Sequence, residues 1–130
     1  MAESARKLLP GWQVRPTGWS PNRTCTIRHI AEEVALRLGE ALGDVELWAD
    51  EAAKESGLDL LCYRPFADGR VGVPVYLMQC ASGRNWREKL HEPDLRLWTK
   101  IVQFASAPKK AFSTPFALSD HDFVRACNLG

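Results

Sequence analysis

Two apolar runs, residues 58–63 and 73–80, each carry one out-of-place polar side chain, and the turn between them brings the two together. The first run reads Leu-Asp-Leu-Leu-Cys-Tyr and holds Asp59; the second reads Val-Pro-Val-Tyr-Leu-Met-Gln-Cys and holds Gln79 near its end. Continuous apolar runs of this length predict buried strands. Residues 65–72, containing Asp68-Gly69, predict the reversal of a hairpin. Positions symmetric about such a turn face each other, so a centre near Asp68-Gly69 sets Asp59 opposite the region of Gln79. An uncompensated buried amide costs roughly 2–7 kcal/mol, so two such residues on neighbouring strands point to a shared site. A divalent metal suits them. A carboxylate, an amide oxygen and a backbone carbonyl such as that of Cys80 can hold Mg²⁺, with waters completing the octahedron. The plainer reading is that Asp59 caps a local turn and Gln79 satisfies a sheet edge.

The 130 residues suit one domain with a real core, and 45% hydrophobic with 25% charged residues is the balance of a globular protein. A formal net charge of +1 excludes a global basic field, so any nucleic-acid contact must be local. The longest apolar run is far short of a membrane span and the N-terminus lacks a signal-peptide core, which predicts a cytoplasmic protein with no membrane partner. Cys25, Cys62, Cys80 and Cys127 form no C-x-x-C pair and read as free thiols.

Residues 1–23, with Pro10, Pro16 and Pro21, read as a loop segment packed on the body through Trp12 and Trp19, and residues 24–130 as the domain proper. Ile27, Ile30, Ala31, Val34, Ala35 and Leu38 recur at helical spacing. Thr24 or Thr26 can cap this helix, Gly39 or Gly43 can end it, and Glu32, Glu33 and Arg37 take its other side. Residues 45–48 read as a short strand, 50–56 as a loop or helical turn, and 84–90 as helical. Glu92-Pro93-Asp94 opens a helix with Leu95, Trp98, Ile101, Val102 and Ala105 on one face. Residues 111–118, interrupted by Pro115, read as a weak edge strand or crossover. Ser119-Asp120-His121-Asp122 resembles a capping box before a last helix. The fold class expected is α/β, a mixed central sheet flanked by helices.

This layout resembles the PD-(D/E)XK nuclease superfamily, the restriction-endonuclease-like fold, in particular its Mrr-like branch. Gly57-Leu58-Asp59-Leu60-Leu61 is similar to the family's aspartate strand, and Leu77-Met78-Gln79-Cys80 to the start of its Gln-x-Lys strand. The resemblance covers about residues 27–105 and implies an α-β-β-β-α-β order. It further implies Mg²⁺ or Mn²⁺ held by Asp59, Gln79 and a glutamate, Glu32 or Glu33, of the preceding helix. Two residues after Gln79, where the family places lysine, stands Ala81. Arg84 or Lys89, from the following helix, would supply the basic group. Lysine can assist deprotonation, whereas arginine mainly stabilises phosphate charge.

The activity implied is metal-assisted hydrolysis of DNA phosphodiesters, in bacterial defence or nucleic-acid processing, by a homodimer or a larger complex. Arg64, Arg70, Arg87, Lys109 and Lys110 are candidate backbone contacts, each with a solvated surface charge as its plainer reading. Two other readings stand beside this one. A degenerate nuclease fold would bind nucleic acid or a partner without cutting, which Ala81 favours. An α/β interaction module would use Asp59 and Gln79 structurally. Cys25 and His29, four apart, lack a companion pair for zinc. No phosphate-binding glycine loop and no G-x-S-x-G elbow is present. Trp48, Trp86 and Trp98 read as core rather than as base-stacking platforms.

Overall fold

Asp68 and Gly69 reverse the chain by ordinary turn chemistry. Gly69 takes a positive φ of 72°, its N–H donates to the Phe66 carbonyl at 3.1 Å, and the Arg70 N–H donates to the Asp68 carboxylate at 3.2 Å. The flanking runs thereby pair antiparallel, with Leu60 opposite Met78 and Tyr63 opposite Val75, the register that a turn centred on residue 69 demands.

The computed structural model describes residues 2–17, 26–48 and 57–129. In chain order the elements are α1 (Ala2–Leu8), β1 (Gln13–Pro16), α2 (Ile27–Leu38), β2 (Ala41–Leu42), β3 (Leu60–Tyr63), β4 (Val75–Cys80) and a 3₁₀ helix (Trp86–His91). There follow α3 (Leu95–Ile101), β5 (Val102–Gln103), β6 (Lys109–Ser113) and α4 (Asp120–Leu129). The main sheet has the order β1-β3-β4-β6; β6 runs parallel to β4 and the other pairs are antiparallel. β2 and β5 form a separate two-stranded ribbon. The fold is mixed α/β, as expected.

One face of the sheet carries Leu61, Tyr63, Val75 and Leu77 into a core shared with α2 and α3. α2 contributes Ile30, Ala31, Val34, Ala35 and Leu38, the stripe its spacing dictates. Thr26 caps it through the His29 N–H, and Gly39, at φ 67°, ends it. α3 contributes Leu97, Trp98 and Ile101, each side chain worth about 2 kcal/mol or more of apolar burial. The opposite face, Leu60 and Cys62, packs with Val14 of β1 and Ala5 of α1.

The first departure from expectation is the N-terminal segment. It forms a helix and a strand rather than a loop, and β1 is an edge strand of the main sheet. Pro16 is tolerated there because an edge position need not donate to a neighbour. Residues 45–48 are helical, not a strand, because Asp44 accepts the Leu47 N–H at 3.1 Å as an N-cap. The reading of residues 50–56, and those of Cys25, Thr24 and Trp19, lie outside the described residues. The helix after Asp94 stops at Ile101; Val102 turns into β5 opposite Leu42, so the expected face is divided between two elements. Of residues 84–90, the first two form a turn and the rest belong to the 3₁₀ helix, and the last strand sits earlier than expected, at Lys109–Ser113, on the outer edge of the sheet. Ser119 caps α4 through the Asp122 N–H at 3.1 Å, as the capping box predicts.

Candidate functional site at the end of the central hairpin

Strand β3 is distorted where Asp59 enters it. The Asp59 N–H donates to the Met78 carbonyl at 3.0 Å, yet Met78 is already the register partner of Leu60. Two successive residues thus face one, which is the arrangement of a β-bulge and re-aims the side chain. Regular continuation of the ladder would send the Cys80 N–H to the Leu58 carbonyl. That carbonyl instead accepts the buried Thr17 hydroxyl at 3.0 Å, and the Cys80 N–H donates to Asp59 Oδ2 at 2.8 Å. On the other side the Thr17 N–H donates to the Asp59 carbonyl at 3.0 Å, so the backbone is held from both neighbouring strands. The second carboxylate oxygen of Asp59 makes no hydrogen bond among the described residues.

Gln79 stands at the matching end of β4 and is only 2% exposed. Its Nε2 donates to the Cys80 carbonyl at 3.2 Å, while its Oε1 is buried with no partner among the described residues. Leaving such an acceptor unpaired costs about 1–3 kcal/mol. Gln79→Met, which keeps the volume and removes that oxygen, is therefore expected to leave stability unchanged or raise it by about 1 kcal/mol in urea unfolding. A loss above about 2 kcal/mol would mean the oxygen is satisfied in the folded chain.

The electrostatics centre on Asp59. Burial pushes its carboxyl above the ordinary range, against the pull of the Cys80 N–H and of the positive charge on Lys89. Burial, reinforced by the Asp59 charge, raises the Cys80 thiol to about 11, so it stays protonated at neutral pH. Lys89 is half-buried on the 3₁₀ helix, whereas Arg84 is exposed in the turn before it. Of the two candidate bases, Lys89 is the one whose charge reaches Asp59. Ala81 is 1% exposed and packs with Trp86 and Leu90, so its side chain points into core rather than toward a site.

The α2 glutamates are not brought into this group. Glu32 pairs with Arg28 at 3.0 Å, and both Glu32 and Glu33 are exposed on the face of α2 away from its buried stripe. Among the described residues, no three of His, Cys, Asp and Glu converge to hold a metal ion. A carboxylate and an amide oxygen are hard donors of the kind Mg²⁺ takes while keeping several waters, and Asp59 and Gln79 stand at matching ends of the β3–β4 hairpin. The Gln79 oxygen, without a partner among the described residues, is such a hard donor.

Several candidate phosphate contacts are engaged elsewhere. Arg87 pairs with Asp122 at 2.9 Å and lies over the Trp86 ring, and Arg70 pairs with Asp68 at 2.6 Å; Lys110 directs one of its three donors to the Leu90 carbonyl at 2.9 Å. Arg64 and Lys109 are exposed. Trp86 and Trp98 are core residues and Trp48 lies under the Lys100 ammonium.

Sequence reasoning missed Thr17 and the pair Gly57–Glu92. A Cβ on Gly57 would lie 2.5 Å from the Glu92 Cβ and 2.7 Å from its Cδ, so a glycine here admits the 3₁₀ helix against the aspartate strand. The one signal available was Gly57 itself, set directly before the apolar run. Comparison with protein-family models, with curated proteins and with solved structures found no match to this chain.

Proposed function

We propose that this chain is a cytoplasmic, divalent-cation-dependent phosphodiesterase acting on DNA, with a restriction-endonuclease-like arrangement of its central hairpin. The reading is carried by one observation. A bulge turns the Asp59 carboxylate onto the Cys80 N–H at the end of β4, within reach of the Lys89 charge, and the neighbouring Gln79 buries an oxygen that has no partner among the described residues. Asp59 and Gln79 would hold Mg²⁺ or Mn²⁺, which when bound polarises the phosphate and acidifies water.

The chain's own residues then divide the remaining work. The Cys80 N–H fixes one carboxylate oxygen of Asp59 and leaves the other for the cation. Lys89 would neutralise charge developing on the phosphate, the part a preorganised cation plays most effectively in a half-buried site. It would stand in for the lysine that the buried position of Ala81 cannot present. The missing third carboxylate among the described residues favours a second reading, a degenerate fold that binds DNA without cutting it.

Nicking of supercoiled plasmid in Mg²⁺ or Mn²⁺, with EDTA controls, tests the proposal. Lys89→Met is expected to lower the rate about 10²–10³-fold, and Lys89→Arg to recover part of it. No metal-dependent nicking by the wild-type chain, with DNA retained in a gel-shift assay, would support the degenerate reading instead.

A further inference from the structure

A cavity of about 330 Å³ lies between α4, the 3₁₀ helix and β6, and it shares no residue with Asp59, Gln79 or Lys89. Leu90, Phe112, Leu118, Phe123 and Ala126 make an apolar lining in which Lys110 is the one charged residue. Lys110 and Phe112 alternate with Ala111 along β6 and so share a face of the sheet. The Lys110 ammonium has three donors, and among the described residues one is engaged, by the Leu90 carbonyl at 2.9 Å. Burial lowers its pKa, with the Asp94 charge opposing. A cation set in an apolar wall with most of its donors unused is completed by an anion.

The outer wall is not closed by the protein itself. No residue of α4 is fully buried, and Phe123 remains 59% exposed. The helix is tied down at its start by the Asp122–Arg87 ion pair at 2.9 Å. We propose that this cavity binds a small monocarboxylate with an aliphatic body, its carboxylate on Lys110 and its chain against Phe112, Leu118 and Phe123. A single cation favours a monoanion over a phosphate, whose greater charge calls for several donors. The volume lies at the small end of the ligand-pocket range, the scale of a medium-chain carboxylate such as octanoate.

The test is calorimetric titration of the full chain with octanoate, 1-octanol, acetate and inorganic phosphate, with amide NMR spectra to locate binding. Octanoate is expected to bind saturably and to shift the amides of Ala111, Phe112, Ala126 and Cys127. Octanol and acetate, each lacking one half of the ligand, should bind about tenfold more weakly or worse. Lys110→Met should bring octanoate down to the octanol level, and Ala126→Leu, which fills the cavity, should weaken both. Octanol binding as tightly as octanoate, phosphate displacing octanoate, undiminished affinity in Lys110→Met, or amide shifts elsewhere would each overturn the assignment.

Discussion

Asp59→Asn is expected to abolish metal-dependent cleavage, a loss of about 10³-fold or more, while leaving the chain folded. Asparagine keeps an oxygen to accept the Cys80 N–H, so the bulge retains its main-chain partner. What it loses is the charge that would bind the cation. The same substitution should also stabilise the chain at neutral pH, and the sign follows from burial. The folded Asp59 carboxyl titrates above the unfolded value, so its contribution to stability is complete below about pH 4 and is lost as pH rises through the folded pKa. Asparagine has no proton to lose. The thermal midpoint of Asp59→Asn should match wild type near pH 3 and exceed it at pH 7, in metal-free buffer. Asp59→Ala is the poorer probe, because it strands the Cys80 N–H at a cost of about 1–3 kcal/mol and confounds folding with chemistry.

The largest effect on stability is expected at Gly43. Its N–H donates to the Ile101 carbonyl at 2.9 Å, and a Cβ would overlap the Lys100 carbonyl oxygen and lie 3.0 Å from its carbon. Both obstructing atoms are backbone and cannot rotate away. Gly43→Ala must push the β2–β5 ribbon off the end of α3, where Ile101 and Val102 are fully buried. The expected cost is about 3 kcal/mol or more, a fall of about 10 °C in the midpoint of thermal unfolding. Gly69→Ala is the control. Its φ of 72° disfavours a side chain, but nothing lies within 4 Å, so the cost should be only about 1 kcal/mol.

Gly43 also illustrates what a sequence conceals. Gly39 and Gly43 were equivalent as ends for α2, since both supply conformational freedom. Gly39 takes the cap with its positive φ, whereas Gly43 is needed for a close approach to a segment nearly sixty residues away. Elements ruled by local chemistry were legible: the stripe of α2, the Asp68-Gly69 hairpin with its register, and the Ser119 cap. β1 was not, because four residues ending in proline become a strand only once β3 offers them a partner. Residues 45–48 looked like a strand by composition, and the Asp44 cap decided otherwise.

The candidate site was legible in the same measure. Asp59 and Gln79 stood out as polar residues in apolar runs, and the hairpin does bring the ends of their strands together. The bulge could not be read, because it depends on a contest between Thr17 and Cys80 for the Leu58 carbonyl. Nor could the difference between Lys89, half-buried on the 3₁₀ helix with its charge reaching Asp59, and Arg84, exposed in the turn before that helix. Glu32 and Glu33 were plausible ligands by position alone, but the buried stripe of α2 turns both toward solvent.

The most direct test of the proposed cation site is Mn²⁺ binding itself, measured by electron paramagnetic resonance on wild type, Asp59→Asn and Gln79→Met without nucleic acid. One saturable Mn²⁺ per wild-type chain is expected, displaced by Mg²⁺, weakened in Gln79→Met and lost in Asp59→Asn. Equal Mn²⁺ binding by wild type and Asp59→Asn, or none by the wild-type chain, would contradict it.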